Sequence, residues 1–324
     1  MSIGTNAATL LRRTGRSTPG GDRAFRALAA GAGIFVLVLL AAIATFLVIR
    51  ALPAFSHDTT SFWTTKTWLT ETARPAYGVA AIAFGTVESA IIALVIAWPI
   101  ALGVAVFVTE YAPRRLSQGL GYAIDTLAAV PSVVYGLWGL YWLVPHMAGV
   151  QGWLGRNVGF VPLFKTRYAG IPTKSMFVAG VVLAIMILPI IAAIMREVIR
   201  QADPTHKEAA LALGATKLEM LRMAVLPPSR SGIVGATILG LGRALGETIA
   251  VALVLGQSFI INWHVLEPGG STIAANIATQ FGEAGTVGRP ALIASGLVLF
   301  AITLLVNLIA RAIIYRAAKI ERAT

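Results

Sequence analysis

The stretch Asp203-Pro204-Thr205-His206-Lys207-Glu208-Ala209-Ala210-Leu211-Ala212-Leu213-Gly214 decides how the rest of the chain is read. Asp203 is a helix-capping residue type, and Pro204 suits the first helical position, where its missing amide would be orphaned in any case. Thr205 with Glu208 offers an overlapping capping box, so the start is set to within a residue or two. Gly214 supplies the left-handed stop. A second short helix begins at Thr216, with Glu219 three residues on, and is expected to end near Pro227-Pro228. This polar hairpin, within residues 196–230, lies between strongly apolar segments. It therefore sits on one side of a membrane as a docking platform.

Composition supports the membrane. Of 324 residues, 57% are hydrophobic and 12% charged, about half the charged share of a typical soluble domain. Residues 27–49 and 290–310 contain no charge at all, and a bilayer core of about 30 Å needs about 20 residues of helix. Lipid leaves open backbone groups unsatisfied, so the class is an all-α integral membrane protein. Six spans are expected, at residues 27–49, 79–109, 116–144, 175–195, 231–261 and 290–310. The chain then divides into a disordered tail (1–26), a first transmembrane helix with its loop (27–78), a core of five spans with the platform (79–314) and a C-terminal tail (315–324). Trp63, Trp68 and Tyr77 in the first loop suit a membrane interface. Residues 145–174 form a second loop, punctuated by glycine and proline.

The formal charge of +12 comes from 26 basic and 14 acidic residues. The basic residues gather in the N-terminal tail, at Arg114-Arg115, on the platform and in the C-terminal tail. An even number of spans places these together, and the positive-inside rule makes that side cytoplasmic, with both termini there. The charge is thus accounted for by topology and anionic lipid, and nucleic acid is not a partner. The chain has no cysteine, which excludes disulfides and thiol chemistry. Its histidines, His57, His146, His206 and His264, are scattered without ligand spacing, so no metal site is expected.

Chemistry concentrates in the fifth span. Arg243 and Glu247 are four residues apart and share one face of a continuous helix. Charges at membrane depth cost about 2.5–3.5 kcal/mol each on insertion scales and are tolerated facing protein or a watery path. A mutual ion pair is the plainer alternative, but arginine preceding glutamate is the weaker helical order. The guanidinium fork instead matches a tetrahedral oxyanion. Gly242 and Gly246 make a small-xxx-small pattern that lets another backbone approach. Pro131 breaks the third span, turning the Ser132 and Tyr135 hydroxyls toward a central path or closing a packed kink. Glu88 and Asp125 either line the path or bind neighbouring helices. No phosphate-binding loop, zinc-protease helix or nucleophile elbow is present, so the chain is not an enzyme by those devices. An ATPase energising it must be a separate chain.

Two groups of residues carry a resemblance. Glu208-Ala209-Ala210, Gly214 and Leu226-Pro227 resemble the EAA loop of ABC importer permeases, the cytoplasmic loop that docks on the ATPase. Arg243-Ala244-Leu245-Gly246-Glu247-Thr248, followed by Ile249-Ala250-Val251, is similar to the PstC-type permease subunits of bacterial phosphate importers. So are Pro131-Ser132-Val133-Val134-Tyr135-Gly136 and Leu188-Pro189. The similarity runs from about residue 85 to the C-terminus. It implies the six-helix type I, MetI-like permease fold in the bacterial inner membrane. It further implies a PstA-type permease as heterodimer partner, two ATPase subunits and an extracytoplasmic phosphate-binding protein. ATP and Mg would reside on the ATPase, with no cofactor on this chain. Arg243, Glu247 and Thr248 would then line the phosphate path, with Ser132 and Tyr135 beside them. Glu208, Ala209, Ala210, Gly214, Leu226 and Pro227 would serve ATPase coupling. Similar strings in sulfate and molybdate permeases usually continue with phenylalanine, so Thr248 favours phosphate. Phosphate at neutral pH also keeps a hydroxyl that Glu247 can accept, whereas sulfate has none. The alternatives are a permease for another oxyanion and an ion-coupled secondary transporter, whose inverted repeats are not visible here.

Overall fold

The computed structural model describes residues 19–321, apart from 169 and 172. Two compact units are distinguished, the first ending at Ile49 and the second starting at Arg50. Residues 1–18 of the expected N-terminal tail lie outside the described residues.

Helix α1 (Pro19–His57) carries the apolar stretch, with residues 19–49 in the first unit and 50–57 in the second, and extends beyond the expected span at both ends. Phe35 and Leu37 along it are 66% and 67% exposed. A helix apolar all round, with its side chains outward, is a helix solvated by hydrocarbon.

The second unit holds a small core and a large one. Strands β1 (Trp68–Leu69) and β2 (Ala76–Tyr77) pair antiparallel, with Trp68 opposite Tyr77. The expectation of interface aromatics fails for these two. Trp68 is 6% and Tyr77 0% exposed, in a core shared with Ala54, Phe62, Ile82 and Leu292, while Trp63 stays 62% exposed. The hairpin makes them cross-strand neighbours, and paired aromatics bury each other. The Tyr77 hydroxyl donates to the Ala54 carbonyl at 2.5 Å. Burial, with Asp58 nearby as the lesser cause, pushes its pKa up to about 12.

The large core is built on α6 (Met176–Arg200), against which α2 (Ala80–Val106) and α9 (Leu226–Gly246) lie. Along α6, Val178, Leu183, Ile187, Ile191, Met195 and Ile199 are all 0% exposed. On α2 the spacing Ala90, Ala93, Ala97, Ala101 and Ala105 makes a stripe no more than 1% exposed. Small side chains at three- and four-residue intervals let helix backbones approach. The buried face of α9 runs through Ile233, Ala236, Gly240 and Ala244. A Cβ at Gly240 would fall 2.4 Å from Ile191 Cδ1. Gly242 and Gly246, the glycines expected at a close approach, lie off that face with no atom within 4 Å.

Between these helices, a π-helical turn (Phe107–Tyr111) ends α2 and α3 follows (Arg114–Ala128). Helix α4 (Ser132–Trp138) continues through a second π turn into α5 (Val144–Asn157). The loop expected from residue 145 is therefore helical at first. Pro145 directly follows the π turn, whose local adjustment accommodates the amide that proline lacks. The platform comprises α7 (Pro204–Ala212) and α8 (Lys217–Met220). After α9 come α10 (Ile249–Val254), α11 (Ile273–Gln280) and α12 (Gly288–Glu321).

By length and composition, four helices among the described residues can cross a membrane, within α1, α2 with its π turn, α6 and α12. A fifth is the pair 114–128 and 132–157, bent by 89°. The expected fifth span, 231–261, is not one helix: α9 stops at Gly246, α10 ends at Val254, and non-helical chain follows.

Candidate functional site

The break between α9 and α10 separates the two charges that the sequence placed on one face. Glu247 is extended (φ −68°, ψ 130°), so Arg243 belongs to the last turn of α9 and Glu247 to the junction. No ion pair joins them among the described residues. Instead, Glu247 Oε1 accepts the amide of Ala250 at 3.2 Å, and Thr248 Oγ1 donates to the Gly246 carbonyl at 3.1 Å. Both side chains satisfy backbone groups that the break sets free, as a helix end away from water requires. Glu247 is 9% exposed. Arg243 is exposed in the isolated chain, within Coulombic range of Tyr135.

A second break faces the first. The chain turns between Ala128 and Ser132 at Pro131, which lacks the amide needed to continue α3. The Tyr135 hydroxyl donates to the Leu127 carbonyl at 2.9 Å, closing the end of α3. Tyr135 is thereby committed to the kink. Ser132 is half-buried. Gly136 lets α4 lie directly on α10: a Cβ there would be 2.8 Å from the Ala250 Cα. Two interrupted spans thus meet back to back, and the resemblance-bearing strings 131–136 and 243–251 meet with them.

The other acids expected within spans take different duties. Asp125 receives Arg196 Nη2 at 3.0 and 3.2 Å, tying α3 to α6. Glu88 lines a pocket with Phe84, Met176, Asn262, His264 and Glu267, and one of its oxygens is buried without a hydrogen-bond partner.

The platform follows its local chemistry closely. Asp203 Oδ1 accepts the Thr205 amide at 2.8 Å, capping α7. That bond holds the Asp203 carboxyl below its ordinary pKa. Gly214 stands at φ +84°, and the amides of Ala215 and Gly214 reach the carbonyls of Ala210 and Leu211, the paired bonds of a Schellman stop. Thr216 and Glu219 form the reciprocal capping box of α8, and the Thr216 amide holds the Glu219 carboxyl below its usual range. Pro227-Pro228 do not end this helix. A π turn (Leu221–Val225) carries α8 into α9 without a break, and the prolines fall directly after it, where the local π adjustment accommodates the amides they lack. Met220, Leu221 and Val225 anchor the platform in the core. Glu208, Ala209 and Gly214 are exposed, while Ala210, Leu226 and Pro227 are half-buried. Leu213 (89%), Met223 (61%) and Leu218 (53%) are exposed large apolar side chains on or beside these short helices.

Two platform contacts carry no local signal in the sequence. Lys207 Nζ binds Glu110 Oε1 at 2.6 Å, with both side chains largely buried. Lys217 Nζ lies 5.5 Å from the centre of the Tyr111 ring. The partners of both sit in the π turn that ends α2.

Residues 97–319 match the family described as binding-protein-dependent transport system inner membrane component. The chain belongs to that family. It is a multi-pass inner-membrane permease component, not an enzyme. Among relatives of this inner membrane component, phosphate transport system permease protein PstC 2 of Mycobacterium tuberculosis is 45% identical over 298 residues, covering 90% of this chain and 91% of its own. The PstC protein of Xylella fastidiosa (strain Temecula1) is 42% identical over 315 residues, covering 94% and 96%. In fold the chain is similar to the MetNI methionine ABC transporter, at TM-score 0.51 and 17% identity, covering 73% of this chain and 96% of that one. It is also similar to a bacterial ABC transporter involved in alginate import, at TM-score 0.54 and 15% identity, covering 91% and 99%.

Proposed function

We propose that this chain is the permease subunit of an ATP-driven importer of inorganic phosphate, working by alternating access. The observation that carries the reading is Arg243, at the mouth of a helix break, with no hydrogen bond or ion pair among the described residues. A cation kept at span depth without a protein partner is suited to a transient anionic one. The relatives, named as phosphate transport permeases, suggest the anion.

In this reading Arg243 grips the phosphate oxygens. Glu247 holds the break open with Oε1 and accepts the phosphate hydroxyl with its other oxygen. Thr248 fixes the turn, and Ser132 and Tyr135 shape the opposite wall. Glu208, Ala209, Ala210 and Gly214 meet a separate ATPase, which binds ATP and Mg, while Leu226 and Pro227 seat that surface on α9. A PstA-type permease completes the path, two ATPase subunits drive it, and an extracytoplasmic phosphate-binding protein delivers the substrate. The platform and both termini face the cytoplasm.

The test is uptake of labelled phosphate by the assembled complex in proteoliposomes, with sulfate and molybdate as competitors. Losing a charge-assisted contact of about 1.5–3 kcal/mol predicts that Arg243→Gln lowers uptake by about ten- to a hundredfold. Undiminished phosphate accumulation in that variant would overturn the reading. Equal competition by sulfate would move the substrate to another oxyanion.

A further inference from the structure

We infer that Glu110 is a positioning residue of the transport cycle, forming with Lys207 a charged latch that delivers platform motion to α2. The inference rests on the reading of the platform as the ATPase-coupling surface and adds a second route out of it. The first route is covalent, because α8, its π turn and α9 are continuous from Lys217 to Gly246. The second is the ion pair.

Three observations make the pair a mechanical link rather than a surface decoration. The Nζ–Oε1 distance is 2.6 Å, and the Lys207 and Glu110 side chains are only 20% and 12% exposed. Parting them would strand a poorly hydrated charge on each side, so the two elements move together. Lys207 directly precedes Glu208, Ala209 and Ala210, the residues assigned to the ATPase, so the latch leaves from the docking helix itself. Glu110 lies in the π turn ending α2, whose neighbour Tyr111 faces Lys217 of α8; both short helices of the platform therefore bear on one point.

Helix α2 is built to pass a displacement on. Its alanine stripe, at most 1% exposed, leaves no slack within the core. Trp98 Nε1 donates to Thr237 Oγ1 at 3.0 Å, joining α2 to α9 six residues before Arg243. A push at Glu110 thus reaches the arginine helix from the side, while the covalent route turns it from its end.

The experiment uses the complete complex in proteoliposomes, measuring ATP hydrolysis, labelled phosphate uptake and cross-linking of the ATPase to a cysteine replacing Leu213. Glu110→Gln and Lys207→Met should retain the cross-link and hydrolyse ATP. Phosphate moved per ATP should fall by about fivefold or more, the lower range of inter-site coupling. The swap Glu110→Lys with Lys207→Glu should recover most of the ratio, which a merely space-filling role would not do. Wild-type stoichiometry with a normal cross-link in both single variants overturns the latch alone. Loss of the ATPase from both single variants and from the swap would assign the pair to assembly and overturn transmission. Absence of the cross-link in the Leu213→Cys chain with Glu110 and Lys207 unchanged would overturn the platform reading, and the latch with it.

Discussion

Glu247 and Arg243 are one turn apart in sequence and opposite in circumstance. The carboxylate is 9% exposed and compensated by the Ala250 amide; the guanidinium is bonded to nothing described. That contrast separates scaffolding from function at the junction, and paired substitutions resolve it. In Glu247→Gln the side-chain carbonyl can still accept the Ala250 amide, so assembly and thermal stability should match wild type while phosphate uptake falls. In Glu247→Leu the amide is left unpaired, which costs about 1–3 kcal/mol and should lower the melting temperature of the detergent-solubilised chain. Unchanged phosphate-over-sulfate uptake in the glutamine variant would remove the hydroxyl-accepting role. Residues whose partners are near in sequence were legible without coordinates. Asp203, Gly214 and the Thr216–Glu219 box all act within a few residues. The Lys207–Glu110 contact joins residues 97 positions apart, and no local pattern announces it.

Among elements, the two helix breaks differ in how openly they are written. Pro131 declares the first, because its ring and missing amide forbid the next turn. The second has no proline. It exists because Glu247 and Thr248 bond the freed backbone groups, a compensation that exists only once the junction is formed, so the sequence suggested one unbroken helix. The second helix of the platform departs from expectation for the converse reason, since the π turn 221–225 lets the helix run on through Pro227-Pro228, which alone would end it. The glycine elbow stands where a left-handed stop is expected and gives a clean perturbation. Gly214 has open space around its Cβ position but stands at φ +84°, so Gly214→Val acts through backbone strain alone, about 1–3 kcal/mol. The variant should insert normally and bind the ATPase, yet hydrolyse ATP without proportionate phosphate uptake. Normal coupling in it would count against the elbow.

For the whole molecule, membrane class and most of the spans were visible in composition, whereas the burial of Trp68 and Tyr77 depended on a hairpin too short to leave a periodic signal. The proposed orientation rests on where the basic residues fall, and the cysteine-free chain makes it easy to check. Phe160, 83% exposed, precedes α6, and Leu213, 89% exposed, follows it. With no ATPase co-expressed, Leu213→Cys should react with a membrane-impermeant maleimide only after the cells are opened, and Phe160→Cys should react in intact cells. The reverse pattern would invert the assigned topology. One feature of the platform also fixes the compass bearing of Arg243, the proposed phosphate ligand. The π turn at Leu221–Val225 holds one residue more than an α-helical turn, and each residue of an α-helix advances the azimuth by about 100°. Excising a single residue there would regularise the rod and swing everything as far as Gly246 about its long axis, aiming the guanidinium at a different neighbour. The spare residue works as a phase setting, through which the proposed docking surface would determine where the proposed anion ligand looks.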